Sequence, residues 1–270
     1  MPNTAQFVDN HVLHIGNYRF HCEHPVRAVR PGVLQVEKPR GLVEDYIRVC
    51  RELRPRRIVE LGVYKGGSTA LLNELAEPEK LVALELSKDP VPILSQYIEE
   101  RGLTDVIRPH YGVDQGDRAR VAEIMRAEFG GEPVDLIIDD ASHLYEETKS
   151  SFETLFPAVR SGGLFILEDW PWQHLRAYAF ASAPMTESKR AAIAQRLVEV
   201  AEGRASPVTP MSRLVLELVL ARASAGGVVA EIAIGPYWAV VRRGPEALDS
   251  VTFRVADIVH DSFEQLSPIP

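Results

Sequence analysis

Between residues 56 and 170, five short apolar runs are separated by four helix-forming runs. "RRIVELG" precedes "STALLNELA", "KLVALEL" precedes "PVPILSQYIEERG", "DVIRPHYG" precedes "DRARVAEIMRAEF", and "PVDLIIDDA" precedes "YEETKSSFETLFPAV". The fifth run is "GGLFILEDW". Parallel strands need a crossover between them, so this order implies an α/β fold with a mostly parallel sheet and helices on both faces. Before it, "RGLVEDYIRVCRELRP" carries Leu42, Tyr46, Ile47 and Cys50 at helical spacing and stops at Pro55. After it, "SRLVLELVLARA" reads as an apolar helix. "GVVAEIAIGPYWAVVRRG" reads as two strands joined at Gly235-Pro236, giving the sheet an antiparallel C-terminal strand. Residues 1–40 form an N-terminal arm or short strands. The domain is expected over 41–270, with an insertion around 171–227 that includes a helix near 187–202.

Composition narrows the partners. A net charge of -8 over 270 residues argues against nucleic acid. Two cysteines, Cys22 and Cys50, lack metal-ligand spacing and suit a reducing compartment. No apolar run is long enough to span a membrane, and the first residues lack a signal-peptide pattern, so a cytoplasmic location is expected.

The turn after the first strand, "VELGVYKGGST", excludes two ligands. A P-loop needs lysine where Ser68 stands. A dinucleotide fingerprint needs glycine where Tyr64 stands. The pattern Glu60, Gly62, Gly66, Gly67, Ser68 suits S-adenosylmethionine, whose ammonium pairs with a carboxylate and to which glycines give backbone access. The alternative is a plain strand-to-helix turn. Glu85, at the end of the second strand, is placed to accept both ribose hydroxyls, or it is a solvated strand end. Asp114 or Gln115, after the third strand, is placed to read the adenine amino group.

The fourth and fifth strands end in acidic pairs, Asp139-Asp140 and Glu168-Asp169, with His143 close behind. So many carboxylates at one edge repel one another unless a cation joins them. Oxygen donors select a hard ion, Mg²⁺ first, with Mn²⁺ or Ca²⁺ as the others. Asp140, Glu168 and Asp169 are the expected ligands. His143 is the expected general base that takes a proton from a metal-activated hydroxyl. The alternatives are a capping or surface histidine and a group of solvated loop carboxylates.

These segments resemble a known family. "VELGVYKGGS", "DDASHLYEETKSSFETLFPAVRSGGLFILED" and the "DQ" after the third strand are similar to the class I methyltransferases that modify macrolide sugars, such as the macrocin and mycinamicin O-methyltransferases, and to cephalosporin hydroxylase-like proteins. The likeness covers roughly residues 55–170. It implies a Rossmann-like methyltransferase fold, a Mg²⁺ site on Asp140, Glu168 and Asp169, and His143 as base. It also implies a cofactor site that includes Glu60, Gly62, Tyr64, Gly66, Ser68, Glu85, Asp114, Gln115 and Asp139. Ala141 departs from the usual glycine, and Trp170 and Trp172 replace a polar run; they suit a planar acceptor or are packing residues.

The expected activity is Mg²⁺-dependent O-methylation of a small natural product in antibiotic-type biosynthesis. A role assisting methoxylation beside a partner oxygenase and a non-catalytic cofactor-binding scaffold are the other readings. The arm and the helix 212–223 offer surface for a homo-oligomer, unless that helix covers a sheet face.

Overall fold

A computed structural model describes residues 4–24, 32–174 and 209–259, together with Val198. The helix expected near 187–202 and most of the 171–227 insertion lie outside the described residues.

The arm forms a small sheet of its own. β1 (Ala5–Phe7), β2 (Val12–Ile15) and β3 (Tyr18–Cys22) are antiparallel, and β4 (Leu34–Val36) lies parallel to β3. α1 (Arg40–Leu53) buries Leu42, Val43, Tyr46 and Cys50, and ends on Arg54 in the left-handed conformation just before Pro55.

The expected alternation then follows. β5 (Arg57–Leu61) leads to α2 (Gly67–Ala76), β6 (Lys80–Glu85) to α3 (Pro92–Arg101), and β7 (Ile107–Tyr111) to α4 (Arg118–Phe129). β8 (Val134–Asp139) leads to α5 (Tyr145–Leu155), and β9 (Val159–Glu168) closes the series. Helix α5 stops earlier than its apolar pattern suggests, because Pro157 turns Phe156–Ala158 into a 3₁₀ turn. α6 (Ser212–Ser224), β10 (Val229–Ile234) and β11 (Trp238–Arg243) complete the described chain.

The main sheet has the order β10-β11-β9-β8-β5-β6-β7. Every neighbouring pair from β9 to β7 is parallel, and β11 runs antiparallel between β9 and β10. This is the Rossmann-like arrangement, mostly parallel with one antiparallel strand, that the alternation and the resemblance imply.

Side chains alternate between the two faces of each strand, and each face has its own core. Ile58, Leu81, Leu136 and Ile166 pack with α1, α2, α3 and the small sheet. Val59, Val82, Ile137 and Phe165 pack with α4, α5 and α6. Helix α6 covers a sheet face, burying Leu214, Val215, Leu218 and Ala221. No helix among the described residues is long and apolar enough to cross a membrane.

The arm is locked to the glycine turn. A Cβ on Gly67 would stand 1.9 Å from the carbonyl oxygen of Gln35 in β4, so only glycine lets the two backbones meet. Gly67→Ala should therefore displace the arm, lowering the melting temperature and exposing residues 4–38 to limited proteolysis. Gly41→Ala is the control, since a Cβ there meets nothing within 4 Å. It should leave the melting temperature unchanged or slightly raised, since helix propensity adds at most about 1 kcal/mol of stability.

Candidate functional site

The sheet reverses its strand order between β5 and β8, and a ligand crevice is expected at such a point, beyond the strands' C-terminal ends. A cavity of about 550 Å³ lies there, walled by residues that follow β5, β6, β7, β8 and β9. Its size suits a ligand of nucleoside dimensions. Leu61, Leu84, Val113 and Ala141 give it apolar walls, and Tyr64, Leu86 and Leu144 form an exposed apolar rim.

The backbone around it is strained in one pattern. Five non-glycine residues among those described have positive φ. Arg54 and Glu77 close helix ends. The other three, Tyr64, His143 and Asp169, all line the cavity. Such a conformation costs on the order of 1–3 kcal/mol each and concentrates at functional sites. His143 is held there from behind, because Trp172 Nε1 donates to the His143 carbonyl at 2.8 Å. Trp170 Nε1 likewise donates to the Gly235 carbonyl at 3.0 Å, and Trp170 packs against the core.

Of the residues expected from sequence, Gly62, Tyr64, Glu85, Asp114, Gln115, Asp140, His143 and Asp169 line this cavity. Gly62 has φ +94°, and a Cβ there would stand 2.3 Å from the Asp140 carbonyl oxygen. Its lack of a side chain thus brings the two acidic loops together as well as opening the cavity. Gly66 starts α2 and packs against Leu94, while Ser68 lines a narrow crevice of about 30 Å³ between loop and arm.

Glu85 is more committed than expected. Its Oε2 accepts from Val63 N at 3.0 Å and Tyr64 N at 2.9 Å, and its Oε1 accepts from Ser87 N at 2.8 Å. A carboxylate has about four acceptor positions, so one remains for a ligand rather than a pair. Gln115 is committed too. It donates through Nε2 to Asp139 at 3.0 Å, and its Oε1 accepts from Ser142 N at 2.9 Å. It braces the loop after β8, which leaves Asp114 as the freer polar group on that wall. Asp114 Oδ1 accepts from Gly116 N at 2.8 Å.

Three expected acidic residues stand outside the cavity lining. Glu60 is 1% exposed, and its Oε2 accepts from Thr69 Oγ1 at 2.5 Å. Burial pushes its pKa up to about 7, against the hydroxyls of Ser68 and Thr69. Asp139 accepts from Ser151 Oγ at 2.5 Å as well as from Gln115, and burial raises its pKa to about 7. Glu168 is turned to the arm side. Its Oε2 accepts from Lys38 Nζ at 2.7 Å, and its Oε1 accepts from the Tyr46 hydroxyl. Burial, then the neighbouring Asp140, raises its pKa to about 8. Asp140, His143 and Asp169 come together, with ligating atoms within 4.8 Å of one another. His143 Nε2 lies 3.8 Å from Asp140 Oδ1 and 3.8 Å from Asp169 Oδ2, and its Nδ1 is buried with no hydrogen-bond partner. Two carboxylates open to water and one imidazole fit a hard divalent cation that keeps several waters.

Sequence reasoning missed Lys38 and Tyr46. Lys38 is 3% exposed, and its Nζ also donates to Asp140 Oδ2 at 2.6 Å. Burial opposes its charge, but Asp140 and Glu168 outweigh that and hold its pKa above the usual lysine range. A lone lysine before Pro39 carries no motif; only the fold brings it 102 residues along the chain to Asp140.

Comparison with known proteins accords with this geometry. Residues 59–170 match a family model described as a methyltransferase domain. Demethylmacrocin O-methyltransferase from Streptomyces fradiae is 31% identical over 140 residues, which are 47% of this chain and 32% of that one. L-olivosyl-oleandolide 3-O-methyltransferase from Streptomyces antibioticus is 43% identical over 152 residues, 48% of this chain and 33% of that one. The chain thus spans about a third of the length of these curated relatives. Among solved structures, the MycE methyltransferase of mycinamycin biosynthesis, in complex with Mg, SAH and mycinamycin VI, superposes with a TM-score of 0.51 at 24% identity. The match covers 74% of this chain and 49% of that one, and the likeness is one of fold.

The buried carboxyl of Glu60 gives a pH test. An acid whose folded pKa is raised from 4.5 to about 7 stabilises the fold fully below pH 4.5, and that stability is lost as pH rises through 7. The loss is on the order of 3 kcal/mol. Glu60→Gln, measured in EDTA by urea unfolding at pH 5 and pH 8, should show a smaller drop between the two than the wild type. An equal drop would mean that Glu60 does not titrate in this range.

Proposed function

We propose that the chain, whose residues 59–170 match a methyltransferase domain, is a class I, S-adenosylmethionine- and Mg²⁺-dependent O-methyltransferase acting on a hydroxyl of a small natural product. The observation that carries this is the Asp140-His143-Asp169 group, open at the edge of the 550 Å³ cavity at the sheet's switch point. The relatives' names, which specify O-methyl transfer to demethylmacrocin and to L-olivosyl-oleandolide, support the same reading.

In this reading Leu61, Leu84, Leu86 and Val113 hold the adenosyl part of S-adenosylmethionine. Glu85 keeps the Val63 and Tyr64 amides in place and offers its remaining acceptor position to the ribose. Glu60 acts from beneath the loop, fixing Ser68 and Thr69, and Asp139 and Gln115 fix the loop that carries Asp140. Asp140 and Asp169 would hold the Mg²⁺ ion, which lowers the pKa of a bound hydroxyl. His143, with its proton on Nδ1, presents the Nε2 lone pair to the cavity and takes the acceptor's hydroxyl proton there. S-adenosylmethionine, when bound, would supply its methyl group to the acceptor oxygen, its carbon–sulfur bond breaking to leave a neutral thioether. Two buried free cysteines, Cys22 and Cys50, fit the cytoplasmic location expected for such an enzyme.

Isothermal titration with S-adenosylhomocysteine separates the roles. Wild type should bind at micromolar concentration, and His143→Ala should bind within about threefold while losing ~10²–10⁴ in turnover. Glu85→Ala should bind at least tenfold more weakly. If His143→Ala abolished binding instead, His143 would be a structural residue and the assigned base would be wrong.

A further inference from the structure

We propose that Trp172 is a positioning residue for the imidazole of His143: its indole N–H holds the His143 backbone in the left-handed conformation, and that backbone sets where the ring stands. This rests on the reading of His143 as the base, and adds to it the group that places the base.

The imidazole has no protein hydrogen bond to aim it. A histidine working as a base is ordinarily oriented through its second nitrogen, which bonds to a carboxylate or a carbonyl. Here Nδ1 is buried with no partner, and Nε2 stands 3.8 Å from both Asp140 and Asp169, beyond hydrogen-bond reach. The ring therefore inherits its position from the main chain. The residues on either side are fixed. Ser142 N donates to Gln115 Oε1 at 2.9 Å, and Leu144 precedes α5, its carbonyl accepting from Thr148 N at 2.9 Å. Between them His143 turns at φ +54°, a conformation that a residue with a side chain keeps only where its surroundings enforce it. The His143 carbonyl accepts from Trp172 Nε1 at 2.8 Å, and among the described residues no turn or loop amide donates to it.

Trp172 is itself anchored. Its main-chain N donates to the Asp169 carbonyl at 3.0 Å, and Asp169 N donates to the carbonyl of Tyr237, which precedes β11, at 2.7 Å. The next two residues are tied to the start of α6. Gln173 Oε1 accepts from Met211 N at 2.7 Å, and His174 Nε2 lies 2.7 Å from Ser212 Oγ. Trp172 thus bonds through its main chain to the loop of Asp169 and through its side chain to the loop of His143. It fixes the spacing between the imidazole and that carboxylate. An indole suits this task, because it is a rigid plane with a single donor.

Nuclear magnetic resonance of the full chain with ¹³C-labelled histidine, bound to S-adenosylhomocysteine, tests this. The His143 ring signals are assigned by their loss in His143→Ala, and in wild type they should be sharp. Trp172→Phe removes the donor and part of the ring. Trp172 replaced by β-(3-benzothienyl)alanine removes only the donor, since sulfur takes the place of the N–H. In both variants the His143 signals should broaden, while calorimetric affinity for S-adenosylhomocysteine stays within about threefold of wild type. Trp170→Phe, which loses the corresponding bond to the Gly235 carbonyl, should leave them sharp. A crystal structure of Trp172→Phe should show His143 with negative φ. Sharp His143 signals in the benzothienyl variant, or a left-handed His143 in the Trp172→Phe crystal, would overturn the inference and leave the methyltransferase reading intact. Loss of S-adenosylhomocysteine binding in the benzothienyl variant would also overturn it, because the indole would then support the whole cavity. The benzothienyl variant decides the matter where Trp172→Phe fails to fold. A wild type that does not bind S-adenosylhomocysteine would remove the methyltransferase reading, and the role of His143 and Trp172 with it.

Discussion

Like charges confined at the end of a parallel sheet repel, and this chain ends the neighbouring strands β8 and β9 with carboxylates. The structure resolves that repulsion by sending the two members of each acidic pair in different directions. Asp139 and Glu168 are the last residues of β8 and β9, and each turns into a core against protein donors. Asp140 and Asp169, one residue later, are loop residues that face the cavity. Strand parity decides which core receives the first member. Glu168 follows Ile166 to the face of α1 and the arm, and Asp139 follows Ile137 to the face of α5. The buried members form a frame, and the open members are left for chemistry.

Most of this fold was legible because its signals are local. Strand-helix alternation implied the parallel sheet, and the Gly235-Pro236 break implied the final antiparallel strand; both stand in the structure. The acidic pairs also pointed to the right sheet edge. What could not be read was the direction of each side chain, which depends on where a strand ends to within one residue. Nothing in the sequence announces that Glu60 is 1% exposed, or that Glu168 is held by Lys38 and Tyr46. The contacts of the Gln115 amide with Asp139 and Ser142 are equally absent from the sequence pattern.

The arm was the least legible part. Its residues show no long period, and Lys38 belongs to no motif. Its importance comes from contacts made far along the chain: Lys38 with Asp140 and Glu168, and the Gln35 carbonyl against Gly67. Glycines that looked like access for a ligand are used as much for one backbone to pass another. The positive φ of Tyr64, His143 and Asp169 is likewise invisible in sequence: aspartate and histidine adopt it more often than most residues, but neither signals it as glycine does.

The central claim is the division of the acidic cluster into a buried frame and an open site. Anomalous diffraction at the manganese edge, from crystals grown with Mn²⁺ and S-adenosylhomocysteine, tests it most directly. The account expects one peak, in contact with Asp140 and Asp169, with Glu168 still held by Lys38 and Tyr46. A peak bonded to Glu168, with the Lys38 side chain displaced, would contradict it.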